Sequence, residues 1–184
     1  SPQARCISTT ACWSKSACDV FWLRKLKDKM RRRRPPAPTT PYLEQSARVR
    51  VRFQEVDALH VVWHGHYISY FEDARAALGE RFGISYRDLF DAQVMAPVVH
   101  VSCDYCKPAR FGDELGVNAK LLIQPSAKLE FLYDVQHADT GETLAYGRTV
   151  QVFTDLQGEL LLVQPAVLRR VIERFKADMR GGDA

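Results

Sequence analysis

The sequence lacks any apolar run that approaches the roughly 20 residues of a transmembrane helix. The longest such run near the N-terminus is Val20-Phe21-Trp22-Leu23, which is also too short for the apolar core of a signal peptide. We therefore expect neither a membrane span nor secretion.

Cysteine is scarce and odd in number, with five residues among 184. Cys6, Cys12 and Cys18 have no His or Cys at the spacing of a zinc site, and we interpret them as thiols of a reducing, cytoplasmic compartment. Cys103 and Cys106 form a C-x-x-C motif, but it lies in a Val-rich strand whose pleat would separate the two side chains. We expect no redox role, because redox motifs of this kind open a helix.

Acidic residues are nearly absent from the first 50 positions, which hold three of them against 12 Lys and Arg. This segment carries +9, whereas residues 51–184 carry −5, so the overall +4 does not describe the whole chain. Arginines 31–34 run into a proline-rich stretch and have no interleaved aromatic residues, so nucleic-acid binding is not predicted. We predict a basic appendage at 1–46, a folded domain at 47–176 and a tail at 177–184.

Periodic apolar patterns begin at residue 48. Val49, Val51 and Phe53 alternate with arginine, which predicts a strand with these three residues on one face. Apolar residues then recur at helical spacing from Tyr67 to Phe82, before Gly83 as a C-cap. Strand patterns follow at 94–106, 115–123, 129–135 and 144–153. Pro97 marks the first of these as an edge strand or as the point where the chain enters a strand. A final helical pattern starts at Pro165 and is stopped by Gly181-Gly182. This order predicts an α+β fold, an antiparallel sheet covered by one long helix.

Residues that can carry chemistry are concentrated between the first strand and the long helix. Asp57, His60, His64 and His66 fall within ten residues, directly before the helix begins. A helix start offers unpaired N–H groups to a polarised carbonyl, and a carboxylate can act as nucleophile or base. The three histidines follow no zinc spacing, so we expect no metal. Glu55 is expected to be solvated.

Two motifs resemble the signature of the 4-hydroxybenzoyl-CoA thioesterase-like branch of hotdog-fold proteins. The first includes Asp57, Val-Val-Trp-His at 61–64 and Phe-x-x-Ala-Arg at 71–75. The second is Tyr-x-x-Pro-Ala-x-x-Gly-Asp-x-Leu at 105–115. The resemblance covers about 48 to 175 and implies a hotdog fold, in which an antiparallel sheet wraps around a long central helix.

The resemblance implies hydrolysis of acyl-CoA to a free acid and CoA, without a cofactor. It assigns Asp57 as the catalytic carboxylate and His64 as the residue whose backbone N–H faces the thioester carbonyl, with its side chain as a second catalytic group. Substrate contacts are expected from the helix start and from nearby basic residues, namely Trp63, Gly65, Tyr67, Lys107 and Arg110.

The resemblance also implies a homodimer or homotetramer with the active site at a subunit interface. The sequence departs from the family at Phe53, where one bacterial subgroup has a catalytic-site tyrosine, and at His60 and His66, where Gly and Asn are frequent. A hotdog hydratase or dehydratase and a non-catalytic acyl-binding protein remain alternatives. The acyl group, and whether CoA or an acyl carrier protein delivers it, stay open.

Overall fold

The computed structural model describes residues 35–181. The strands are β1 Tyr42–Arg50, β2 Val98–Tyr105, β3 Glu114–Leu122, β4 Lys128–His137 and β5 Thr143–Val152. The helices are α1 His66–Phe82, α2 Tyr86–Asp91 and α3 Ala166–Gly181, and a 3-10 turn lies at Phe53–Glu55. None of the helices within 35–181 has the length and apolar character of a membrane span.

The five strands form one antiparallel sheet in the order β1-β3-β4-β5-β2. On β3 and β4 every second side chain is buried, and buried residues pair across strands, as Val117 does with Val135 and Ala119 with Tyr133. An apolar sheet face requires a cover, which α1 provides. The predicted α+β architecture is confirmed, and β2 is an edge strand as predicted.

The contact between α1 and the sheet is centred on Phe71. Its ring stacks on Tyr133 of β4, with ring centroids 4.5 Å apart and planes at 12°. Gly147 of β5 lies directly opposite Tyr133, and a Cβ atom at this position would be 2.2 Å from the Phe71 ring. Gly147 therefore leaves the space that Phe71 fills, which fixes the helix across the sheet.

The boundaries of α1 follow the predicted pattern. The helix ends at Phe82, and Gly83 follows in the left-handed region with φ of 73°. A glycine adopts this conformation without a Cβ penalty, which makes it a helix C-cap. In α3, Leu168, Val171 and Ile172 are buried as predicted.

The first strand differs from its prediction. It spans Tyr42–Arg50, so the predicted domain start at 47 falls inside it. Phe53 does not continue the alternation but is 78% exposed in the 3-10 turn. The turn forms because the Glu55 carboxylate accepts the N–H of Arg52 at 2.8 Å, which ends the extended chain.

The other predicted limits also shift. Because α3 continues to Gly181, the limit at 176 falls inside a helix, and the predicted tail 177–184 begins as helix. Most of the predicted appendage 1–46, including the arginine run, lies outside the described residues.

The helix α2 is missing from the predicted elements. Its N-cap is Ser85, whose hydroxyl accepts the Asp88 N–H while the Asp88 carboxylate accepts the Ser85 N–H at 2.8 Å. Such a reciprocal pair stabilises a helix start. A serine followed three residues later by an acid was the available sequence signal.

Candidate active site

A small hairpin at residues 56–62 connects the 3-10 turn to α1. Val56 and Val62 form an antiparallel bridge, and the Asp57 N–H donates to the Val61 carbonyl at 2.9 Å. At the tip, the His60 N–H donates to the Asp57 carbonyl at 2.9 Å. Asp57 is therefore the first residue of a tight turn, and the returning strand of the hairpin leads directly into α1.

The Asp57 side chain is half-buried and oriented by its own turn. Its Oδ1 atom accepts the N–H of Leu59 at 2.8 Å. This is an Asx turn, which restricts the rotation of the carboxylate. The second oxygen, Oδ2, has no hydrogen-bond partner among the residues that the structure describes, so it can meet a reacting atom.

His60 has a left-handed backbone, with φ of 58°. This conformation costs a residue with a Cβ atom about 1 kcal/mol or more. The cost gives a physical reason for the glycine that is frequent here in the family that the sequence resembles. The His60 side chain is exposed.

Glu55 anchors the base of the hairpin to α1. Its Oε2 atom accepts the hydroxyl of Tyr70 and the N–H of Arg52, both at 2.8 Å, while its carbonyl accepts the Trp63 N–H at 2.8 Å. Burial, together with the hydrogen bond to Glu55, raises the pKa of Tyr70, so the phenol stays a donor. The expectation of a solvated Glu55 is wrong, because its carboxylate is buried between the turn and the helix.

The turn before α1 is covered by the indole of Trp63. A Cβ atom at Gly65 would lie 1.9 Å from this ring, so only glycine leaves room for it. The indole also contacts the imidazoles of His64 and His66, with ring centroids 4.7 and 5.6 Å apart. Trp63 remains 49% exposed and forms a flat apolar surface at the helix start.

Unused backbone donors lie in this turn. The His66 N–H donates to the Trp63 carbonyl, but those of His64 and Gly65 have no acceptor within the described part of the chain. The hydroxyl of Tyr105, at the end of β2, donates to the His64 carbonyl at 2.9 Å and so fixes the orientation of this peptide. The second motif marked Tyr105, but only the structure gives it this role.

Tyr67 is not a surface residue. Its side chain is 2% exposed, and its hydroxyl accepts the Ala109 N–H at 3.1 Å. In the protomer the ring belongs to the core, and a contact of this side chain with substrate stays a prediction. The Ala109 carbonyl in turn accepts the Val62 N–H at 2.9 Å, which brings the two sequence motifs together.

The two predicted basic contacts differ in their surroundings. Lys107 forms an ion pair with Glu142, so its charge is already compensated. Arg110 is exposed beside Phe111, and its backbone N–H donates to the Asp113 carboxylate at 2.8 Å. A role for either residue in phosphate binding stays a prediction.

Three further arrangements do not form within the described residues. Asp57 and His64 make no side-chain contact with each other in the described structure. Within residues 35–181, no group of three His, Cys, Asp or Glu is arranged to hold a metal. Burial raises the pKa of the Cys103 thiol to about 11, the opposite of the lowered pKa of a redox cysteine.

The chain is similar in sequence to known proteins. The model of the thioesterase-like superfamily matches residues 51–171. The acyl-CoA thioester hydrolase YbgC of Escherichia coli is 28% identical over 91 residues, 50% of this chain and 68% of that protein. A 1,4-dihydroxy-2-naphthoyl-CoA hydrolase of Nostoc punctiforme is 27% identical over 134 residues, 72% of this chain and 89% of that protein.

A solved structure agrees in fold. The 1,4-dihydroxy-2-naphthoyl-CoA thioesterase Slr0204 from Synechocystis, 22% identical, covers 71% of this chain and 96% of its own with a TM-score of 0.63. The family match spans strands β2 to β5, α1 and the Asp57 hairpin, and begins directly after β1. This chain therefore belongs to the thioesterase-like superfamily.

Proposed function

We propose that this protein hydrolyses acyl-CoA thioesters to a carboxylic acid and CoA, with Asp57 as its catalytic carboxylate. The observation that carries the proposal is the hairpin, which holds the Asp57 carboxylate on the same short segment as the unused N–H groups at the start of α1. Relatives named as acyl-CoA and 1,4-dihydroxy-2-naphthoyl-CoA hydrolases support the substrate class.

The chemistry requires a nucleophile and a site for the developing oxyanion. Asp57 either attacks the thioester carbonyl or removes a proton from the attacking water. In the first route an acyl–Asp57 anhydride forms as the C–S bond breaks, and water then hydrolyses it to the acid and free Asp57. In the second route water adds to the carbonyl and the C–S bond breaks. In both routes the thiolate of CoA leaves and is protonated. The N–H groups of His64 and Gly65, aligned with the positive end of the α1 dipole, would stabilise the oxyanion.

Trp63 and His64 line the same region. The exposed indole of Trp63 provides an apolar wall for the thioester end of the substrate. The His64 imidazole lies between the rings of Trp63 and Tyr105 and is exposed, so it can donate to or accept from a bound substrate. Tyr105 holds the His64 peptide in place from β2.

We also propose that the protein works as a homo-oligomer that pairs through β2. This edge strand is exposed along nearly its whole length and carries Val98, Val99 and Val101, which are 44%, 58% and 44% exposed. An apolar edge with unpaired backbone groups is a template for a second strand. Because Tyr105 lies at the end of β2, a partner there would be close to the His64 turn.

A thiol-release assay on a panel of acyl-CoA chain lengths and aryl-CoA substrates tests the activity. Asp57→Asn keeps an acceptor for the Leu59 N–H, so the hairpin is retained while the carboxylate is lost. We expect kcat to fall at least about a hundredfold. Asp155→Asn is the matched control, because Asp155 also accepts backbone N–H groups in a turn but lies outside the hairpin. Equal activity of wild type and Asp57→Asn would refute the role of Asp57.

A wild-type protein that binds acyl-CoA but releases no thiol would instead identify a non-catalytic acyl-binding protein. Hydration of an enoyl-CoA without thiol release would identify a hydratase. Thiol release only from acyl carrier protein thioesters would show that the carrier protein, and not CoA, delivers the acyl group.

A further inference from the structure

An open groove runs along β1, the edge strand on the opposite side of the sheet from β2, and Asp73 of α1 also lines it. Its volume is about 570 Å³, and we call it the β1 arginine groove. The polar and aromatic residues that line it are three arginines, one acid and one phenylalanine, namely Arg48, Arg50, Arg52, Asp73 and Phe111.

The three arginines project from the same side of the chain. β1 ends at Arg50, but Arg52 keeps an extended backbone with φ of −90° and ψ of 156°. Residues two apart on an extended chain are about 6.6 Å apart and point the same way. All three are exposed, and the residues between them point inward, with Val51 fully buried. The result is a row of guanidinium groups, which bind phosphate oxygens with paired hydrogen bonds.

Two phenyl rings extend this row toward the hairpin. Phe53 and Phe111 are 78% and 61% exposed and touch edge to face, with ring centroids 5.9 Å apart. The pair leaves an apolar surface in water, and covering it with a flat ligand would be favourable. A flat aromatic base can stack on an exposed ring with little sequence or shape demand.

The groove is connected to the catalytic hairpin by the backbone. The Val62 N–H donates to Ala109, two residues before Phe111, and the Gly112 N–H donates to the Val51 carbonyl at 3.1 Å. Arg52 precedes Asp57 by five residues, which limits their Cα separation to roughly 18 Å. A ligand that has a thioester at one end and phosphates at the other can therefore reach both places.

We propose that the β1 arginine groove binds the 3′-phosphorylated ADP portion of CoA. The arginines take the phosphates and the phenyl pair takes the adenine, while the pantetheine arm leads to Asp57. This inference rests on the proposed function, because it names where that substrate is held. Lys107 is not required, since it is not among the residues that line the groove.

Two acids in or beside the groove limit its affinity. Glu114 lies 3.6 Å from Arg50, and both side chains are largely exposed. Asp73 lines the groove near Arg52, and burial raises its pKa while Arg52 lowers it. Replacing Asp73 removes a negative charge that faces the phosphates, so Asp73→Asn should strengthen CoA binding rather than weaken it.

The test compares each acyl group as its CoA thioester and as its pantetheine thioester, which lacks the nucleotide. In the double variant Arg48→Ala/Arg50→Ala, we expect the ratio of kcat/KM for CoA over pantetheine to fall about tenfold or more. Phe111→Ala should lower it several-fold by loss of stacking. Arg169→Ala, which removes an exposed arginine from α3 outside the groove, is the matched control and should leave the ratio unchanged.

Calorimetric titration with free CoA is independent of hydrolysis and separates the two proposals. Weaker binding in the double variant and tighter binding in Asp73→Asn support the groove, even if no thioester is cleaved. Equal losses of kcat/KM for both substrates in the double variant, or unchanged CoA binding, would overturn the proposal. The arginines would then be charges that protect a sheet edge. A loss confined to acyl carrier protein thioesters would also overturn it, in favour of an acidic protein partner.

Discussion

The interior of the sheet and the Asp57 hairpin use their residues in opposite ways. In the interior, Phe71 stacks on Tyr133 and fills the space above Gly147. In the hairpin and the turn after it, Leu59 and Trp63 are 77% and 49% exposed. Stability alone favours burial of both apolar side chains. The interior is arranged for packing, whereas the hairpin and the turn after it leave apolar side chains exposed, and each region can be altered separately.

The largest expected loss of stability comes from the interior. Phe71→Ala empties the space above Tyr133 and Gly147. It should lower the free energy of unfolding by about 3–5 kcal/mol, measured by urea denaturation. The matched control is Phe90→Ala on α2, an exposed ring that should cost about 0.5 kcal/mol or less. A stable Phe71→Ala protein would show that the stack does not hold the helix.

Asp57→Asn should show the reverse behaviour. Because the amide keeps the Asx turn, we expect the free energy of unfolding to stay within about 0.5 kcal/mol of wild type while kcat falls. Urea denaturation of the purified variant provides this value. If stability fell in parallel with activity, Asp57 would be a structural turn residue.

The junction between the two regions should respond in both properties. Tyr70→Phe removes a donor from the buried Glu55 carboxylate and should cost about 1–3 kcal/mol. Because Glu55 also fixes the base of the hairpin, kcat should fall with little change in KM. Tyr86→Phe, which removes a tyrosine–glutamate hydrogen bond on the exposed side of the helix, is the control for both measurements. Lost stability with unchanged kcat would show that the hairpin keeps its position without this anchor.

Acid should weaken the sheet through Glu130. Burial opposes ionisation of this carboxylate, but hydrogen bonds from Lys128, Gln124 and Arg148 outweigh it and hold its pKa at about 2, below the usual 4.5. Since the pKa is lower in the folded state, this stabilisation is complete above pH of about 4.5 and is lost as the pH falls toward 2. The free energies of unfolding of wild type and Glu130→Gln should therefore converge as the pH falls. A difference between them that does not change with pH would contradict this.

The smallest expected effect is a gain. His60→Gly relieves the left-handed backbone and should stabilise the protein by about 0.5–1 kcal/mol, measured by thermal unfolding. An unchanged kcat would assign His60 to the turn alone. A loss of stability would show that the imidazole makes a favourable contact that outweighs the strain.

Much of the fold was predictable because it depends on periodicity. The helix from Tyr67 to Phe82, its glycine cap and the antiparallel order of strands follow from the spacing of apolar residues. The end of β1 did not follow, because the alternation continues through Phe53 while a hydrogen bond from Arg52 to Glu55 ends the strand. Alternation shows which residues could share one face of a strand, but it does not show which contact ends the strand.

The candidate site was predictable in its residue types and less so in its geometry. The motifs identified Asp57, and the hairpin now gives its carboxylate a defined orientation. They also suggested Tyr67 as a substrate contact, although its ring is sealed in the core. A tyrosine at the start of an amphipathic helix can face either side, and helical spacing alone does not decide which.

The sequence by itself determined the elements, their order and the segment that carries the carboxylate, because these depend on local spacing and on residue type. Only the tertiary structure decided that Glu55 is buried against Tyr70, that Tyr105 holds the His64 peptide, and that Arg48 and Phe111 line one groove. These contacts join residues 15 to more than 60 positions apart along the chain. Folding of the chain brings such residues together, and no local pattern encodes that distance.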